Sequence, residues 1–321
     1  MDSIALDVHA HLVPIMPERL SGLNGVAWDP VSETLVLDGH TLATKPLFQP
    51  DRLLRWMDDN KIAHAWISIP PPSYRQQRDP DDARAWCAYV NHGLATIAGQ
   101  HATRLSALLH LPVEHPPLAA EIARNGHARF AMSAGAGPQV RLSDECYEPL
   151  WQALDAQSAF LFIHPGTTCD PRLDKFFLRN VVGNPVETGV AASHMVMAGV
   201  LTRYKNMVVC LAHGGGIVPS IAERVQHGWS MKATGEDKSG PPHDAFRRFC
   251  ADCITHSTAG LSHAAGVFGV DHMFFGSDWP FPMGLMSPHA ALATAAADIK
   301  AAMFADNPKW LTQGFACEST D

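Results

Sequence analysis

Basic residues are few in this chain and nowhere gathered: 24 Lys and Arg stand against 32 Asp and Glu among 321 residues, a net charge of −8. Without a basic stripe the chain is not expected to bind nucleic acid. No basic, then apolar, leader opens it; a His-x-His pair stands there instead. The longest nearly apolar stretch, Val190–Leu201, is broken by Ser193 and His194 and is too short to span a bilayer. Cysteine is too sparse for a stapled fold: there are 7, an odd number, and Cys250-Ala-Asp-Cys253 has no second pair to make a redox motif. Core packing is the better reading of those thiols. These absences point to a cytoplasmic protein with reduced cysteines. No low-complexity linker divides the chain, so residues 1–321 are read as one domain.

What is present is a set of polar residues closing short apolar runs. The runs are Ile4–Val8, Ile62–Ile69, Leu105–Leu111, Arg129–Ser133, Ala159–Ile163, Met207–Ala212, Phe249–Thr255 and His272–Phe275, with the fourth and seventh the faintest. Helix-like stretches with apolar residues three and four apart separate them, among them Asp82–Ala98, Pro117–Asn125 and Tyr147–Gln157. Eight such repeats predict an α/β fold, a (β/α)8 TIM barrel. Residues 14–50 break the rhythm. Within them Thr34–Leu37 reads as a strand and Asp38-Gly39 as a two-residue hairpin turn. A small β insertion after strand one, lying over the barrel mouth, is expected.

In a barrel, polar residues at the carboxyl ends of strands form the active site. His9 and His11 close strand one and, two apart, can face the same way. His164 closes strand five and Asp278 follows strand eight. Three imidazoles and a carboxylate suit Zn2+, and Mn2+ and Fe2+ suit the same donors. His213, followed by three glycines that let the backbone turn sharply, is a candidate base beside the metal or a further ligand. His64, His110 and His194 lack this context and read as structural.

These residues resemble the amidohydrolase superfamily, and within it the aminocarboxymuconate-semialdehyde decarboxylase family. The similarity covers nearly the whole chain. It is densest from Phe176 to Trp229 and from Phe274 to Pro282, with the strings Gly183-Asn-Pro-Val-Glu187-Thr188, Leu211-Ala-His213-Gly-Gly-Gly216 and Gly276-Ser-Asp278-Trp-Pro-Phe-Pro282. The resemblance implies one zinc ion on His9, His11, His164 and Asp278, with His213 and Asp278 as the catalytic pair and His213 activating the metal's water. Arg129–Gly137 holds no lysine of the kind that bridges two metals in binuclear relatives. Arg224 resembles a family arginine that enters the neighbouring subunit's site to hold a substrate carboxylate, which implies a homodimer.

A second family arginine is missing before Gln49-Pro50, where Thr44 and Lys45 stand, and an aromatic is missing near Asn180. The substrate is therefore not expected to be aminocarboxymuconate semialdehyde itself. The expected activity is non-oxidative decarboxylation of a small hydroxylated or aminated aromatic, heteroaromatic or muconate-type carboxylic acid. A lactone or amide hydrolase, a hydratase, and a silent barrel with a structural metal are the alternatives.

Overall fold

A computed structural model describes residues 2–168, 170–232 and 240–313. The chain opens with β1 (Ile4–His11), then forms three short strands, β2 (Val26–Asp29), β3 (Thr34–Leu37) and β4 (His40–Leu42). The remaining strands are β5 (Ile62–Ser68), β6 (Leu105–Ala107), β7 (Leu109–Leu111), β8 (Arg129–Ser133), β9 (Phe160–His164), β10 (Val208–Leu211), β11 (Phe249–Asp252) and β12 (Met273–Phe274). Parallel pairing runs in the orders β1-β5-β6 and β7-β8-β9-β10-β11-β12. Leu108 breaks the expected third strand into β6 and β7, and its N–H donates to Ile67 O at 2.8 Å, which joins the two arcs. The ring closes where Val8 N donates to Phe275 O at 3.0 Å and Ala10 bridges Trp279. The eight-stranded α/β barrel expected from the run of repeats is the fold.

These strands are mostly apolar on both faces because both faces are covered. Leu6, Val8, Trp66, Phe160, Phe162 and Phe274 fill the barrel interior. A second cluster, with Leu53, Trp86, Leu94, Phe130 and Phe268, lies between barrel and helices. The helix Pro80–Gln100 shows the local logic. Asp79 caps it by accepting from Asp81 N and Asp82 N, Pro80 starts it, and Ala83, Trp86, Cys87, Val90 and Leu94 recur on one buried stripe. Cys210, Cys250 and Cys253 are buried free thiols, in line with core packing. No helix among the described residues is long and apolar enough to cross a membrane.

Two strand ends depart from the expected ones by three residues, the others by at most one. Strand one does not stop at Val8 but runs to His11, with a register shift between Asp7 and Ala10. Strand seven ends at Asp252, three residues early. After β1, the strands β2, β3 and β4 make a separate antiparallel sheet. Its tight turn is Asp38-Gly39, with φ of 53° and 84° as a two-residue turn of that hand requires. Arg75, from the loop after β5, holds it in place by donating to Asp38 through Nε at 2.9 Å.

Candidate metal centre

The carboxyl ends of β1, β9, the β10 turn and the loop after β12 bring His9, His11, His164, His213 and Asp278 together. Ligand atoms of His9, His164, His213 and Asp278 all lie within 4.8 Å of one another. His11 Nε2 is 3.1 Å from His9 Nε2 and 3.1 Å from Asp278 Oδ1, and His9 Nε2 is 3.3 Å from the same oxygen. His213 Nε2 stands back, 3.8 Å from Asp278 Oδ2. Thus the five residues singled out in the sequence share one site. Arg224 does not join them within one chain: it is exposed on the helix Val218–Ser230 and lines neither lobe of the cavity above the cluster.

Local backbone chemistry builds the site. His213 and Asp278 both carry positive φ, 56° each, an unusual conformation for residues with side chains and one that clusters at functional sites. The glycines after His213 make its turn feasible. A Cβ on Gly214 would fall 2.4 Å from Thr255 Cγ2, and one on Gly216 would fall 2.4 Å from Pro185 O. Asp7, wholly buried, accepts from His9 N and Ser277 N at 3.0 Å each and so ties strand one to the segment bearing Asp278. Burial pushes the Asp7 carboxyl up to about 7 against those hydrogen bonds.

One residue of the site is not among those singled out in the sequence. Asp252, at the end of β11, accepts from His9 Nδ1 through Oδ2 at 2.7 Å. Its Oδ1 accepts from Gly214 N at 2.8 Å and Ile254 N at 3.0 Å. An aspartate closing the apolar run Phe-Cys-Ala is a signal of the same kind as the others, overlaid here by the Cys250–Cys253 spacing.

The donor set fits a cation. His9 gives its Nδ1 proton to Asp252, and His164 gives its own to Pro165 O at 2.8 Å. His11 Nδ1 donates to Ser68 O at 3.4 Å, with Ser68 Oγ 3.2 Å away. Each Nε2 is thereby left as a lone pair turned inward, and that of His164 is buried without a partner among the described residues. Lone pairs 3.1 Å apart repel unless something positive lies between them. Ligand atoms around one ion with bonds of about 2.0–2.1 Å are spaced at roughly 3 Å, as found here.

The electrostatics agree. Burial, together with the neighbouring imidazoles, holds His164 well below the usual histidine range and so neutral. Burial opposes charge on Asp278, but the charge of His9 and hydrogen bonds from the histidines outweigh it and hold the carboxyl well below its ordinary value. Burial opposes charge on His9 too, yet Asp278 and Asp252 push its pKa up to about 10. An ionised carboxylate among imidazoles that attract a proton is what a divalent cation replaces. Where binuclear relatives use a lysine, β8 ends in Ser133, whose hydroxyl donates to Gly135 O.

A closed parallel barrel with a His/Asp cluster at its strand ends defines a class, the barrels that bind divalent metal there. The chain belongs to the amidohydrolase family, whose model matches residues 6–311. Among its relatives is 2-amino-3-carboxymuconate-6-semialdehyde decarboxylase of Dictyostelium discoideum, 24% identical over 302 residues, covering 89% of this chain and 84% of the relative. The structure of 5-carboxyvanillate decarboxylase from Sphingomonas paucimobilis superposes with a TM-score of 0.80 at 19% identity, over 97% of this chain and 99% of that one. Dihydroxybenzoic acid decarboxylase from Polaromonas sp. JS666, solved with manganese and 2-nitroresorcinol, gives 0.75 at 22% identity over 100% and 98%. Likeness at these identities establishes the shared fold.

Proposed function

We propose that the protein is a metal-dependent, non-oxidative decarboxylase of a small hydroxylated or aminated aromatic, heteroaromatic or muconate-type carboxylic acid. One observation carries this reading: inward lone pairs of His9, His11 and His164 and the ionised Asp278 meet beneath a cavity that His164, Asp278 and His213 line. The curated relative and the two structural neighbours all being decarboxylases supports it.

His9, His11, His164 and Asp278 would hold the ion, with zinc the first choice and manganese, as in the Polaromonas structure, the second. Bound there, the cation supplies Lewis acidity toward the substrate's carboxylate and a neighbouring oxygen. The protein's part is to orient the acid and to move one proton. Breaking the bond to the carboxyl carbon releases CO2, and the ring carbon takes up a proton in its place. His213 and Asp278, 3.8 Å apart, are the pair that can hold and deliver it. Loss of activity with retained metal in His213→Ala supports this assignment, and an active His213→Ala enzyme refutes it. Measuring CO2 release against ring opening separates the decarboxylase from a hydrolase.

We further infer a homodimer in a cytosolic setting, with residues 14–50 as an insertion over the mouth of a single-domain barrel. Val182, Val186 and Val190, each between 37% and 45% exposed, form a stripe along the helix Asn184–Met197 and the turn before it. An apolar stripe of this kind supports burial against a second copy. Arg224 lies on the helix packed beside it, where it could reach a partner's cavity.

A further inference from the structure

The cavity above the donor cluster has two lobes, and the smaller, about 250 Å³, is a slot lined by Pro71, Pro72, Phe177, Phe281 and Pro282. Pro71 and Pro72 belong to the loop that follows β5. Proline has a fixed φ and no N–H, so this wall donates no backbone hydrogen bond and moves as one stiff piece. Its place is therefore set by what holds its two ends.

One end is β5 itself, which stops at Ser68. The other is the run Ser73–Gln76, in which each residue is committed to a different neighbour. Ser73 O accepts from Trp86 Nε1 at 2.7 Å. The Tyr74 ring stacks on His110, with centroids 5.1 Å apart. Gln76 crosses to the segments after β8 and β9, donating through Nε2 to Gly135 O at 2.9 Å and accepting through Oε1 from Thr167 Oγ1 at 3.0 Å. Arg75 reaches the β insertion.

That last contact is built as a latch. The Arg75 guanidinium grips Asp38 with two bonds, Nε to Oδ2 at 2.9 Å and Nη2 to Oδ1 at 2.7 Å, and Nη2 also donates to Asn24 O at 2.5 Å. It lies over the Trp86 ring, 5.1 Å from the centroid, and its side chain is only 2% exposed. Arg78 Nη1 stands 3.4 Å from the same carboxylate. Strand β2 passes close by: a Cβ on Gly25 would fall 2.4 Å from Asp38 Oδ1. Exposed ion pairs hold little, but an arginine this buried cannot leave its carboxylate without being stranded away from water. Neither Asp38 nor Arg75 lines either lobe.

We infer that Asp38, acting through Arg75, is a positioning residue for the substrate slot. The insertion after strand one then serves as the anchor of the proline wall, and its hairpin turn shapes recognition without touching the substrate. What fills the slot rests on the decarboxylase reading; the latch itself does not.

The test compares zinc-loaded native protein with Asp38→Asn and Asp29→Asn. Asparagine suits the φ of 53° at position 38, so the turn is kept while the charge is lost. Asp29 is the control: it lies in the same small sheet but bonds only locally, to Val31 N and Ser32 Oγ. Hydrogen exchange read by mass spectrometry is expected to be about ten-fold or more faster at the Ser73–Gln76 amides of Asp38→Asn. The β9 amides, and both segments in Asp29→Asn, should match the native chain. With a hydroxybenzoate that the native protein decarboxylates, Asp38→Asn should raise KM several-fold and leave kcat nearly unchanged. Native exchange in Asp38→Asn, the same acceleration in Asp29→Asn or β9, or an unchanged KM beside faster exchange each overturns the assignment. A native protein that releases CO2 from no acid defeats the decarboxylase reading instead, while the exchange rates still decide the latch.

Discussion

Asp252 Oδ2 takes the Nδ1 proton of His9 across 2.7 Å, with both side chains wholly buried. The other oxygen of the same carboxylate holds the backbone of Gly214, next to His213. One residue outside the proposed donor set thus fixes the tautomer of the His9 imidazole and the turn that presents the proposed base. His9 and Gly276 also crowd it, since a Cβ on Gly276 would fall 2.8 Å from Asp252 Cβ. The carboxylate has little room to do anything else.

Asp252→Asn tests that coupling. An amide whose oxygen stays with Gly214 N and Ile254 N turns its NH2 toward His9 Nδ1. The His9 proton is then driven to Nε2, where it opposes the metal. Loss of such a supporting partner costs about 10–100-fold in metal affinity. Competition with a coloured chelator measures it, and an affinity equal to that of the native chain removes Asp252 from the metal site.

Metal removal is the second test. Chelator treatment is expected to abolish CO2 release and to lower the melting temperature, because it leaves His9, His11 and the buried Asp278 crowded around no charge. A ligand at a hundred times its dissociation constant stabilises the fold by about 2.7 kcal/mol. Zn2+ and Mn2+ added back separately should each restore the melting temperature. The ion that restores turnover at the lower concentration is the working one. Full activity after exhaustive chelation contradicts the reading.

Much of this was legible in the chain because a polar residue that closes a buried apolar run has to be satisfied by a cap, a turn or a ligand. His164 after Phe-Leu-Phe-Ile is such a case, and so is Asp38-Gly39 between two short strands. Strand ends were harder. His9 and His11 extend β1 past the point where hydrophobicity stops, since their partners are other polar groups inside the mouth. Leu105–Leu111 looks uninterrupted, and nothing in its composition announces the break at Leu108. The two lobes were invisible for a different reason: Pro71, Asn184, His256 and Phe281 come from four separate loops and helix ends, and no local period connects them.

The proposed dimer predicts a specific failure. Val186→Glu places a charge in the centre of the exposed stripe, where the single chain bears it easily because the side chain is 37% exposed. Burying that carboxylate between two subunits is costly. Sedimentation is expected to give the mass of one chain for the variant and of two for the native protein. If Arg224 acts across the interface, Arg224→Ala should raise KM while leaving the mass of a dimer. Identical masses for Val186→Glu and the native chain rule out this stripe as the contact.

His110 supplies a pH-dependent prediction away from the metal. Its strand position pairs with Ala131, so the ring faces the barrel interior, where it is 2% exposed and stacks on Tyr74 at 5.1 Å and 15°. Neither ring nitrogen meets a hydrogen-bond partner among the described residues, and burial alone pushes the pKa down to about 3. The folded value lies below the unfolded one of 6.5. The unfolded chain therefore binds the proton first, and this stability is complete above pH 6.5 and lost as pH falls toward 3. The slope is about 1.4 kcal/mol per pH unit within that window. His110→Phe keeps a ring against Tyr74 and removes the titration. Repacking around the new ring changes the stability at pH 7 by about 1–3 kcal/mol, so the diagnostic is the slope. Urea unfolding of chelator-treated protein at about pH 7 and about pH 5 is expected to show a smaller loss for the variant than for the native chain. Equal losses would mean that the acid sensitivity of the fold arises elsewhere.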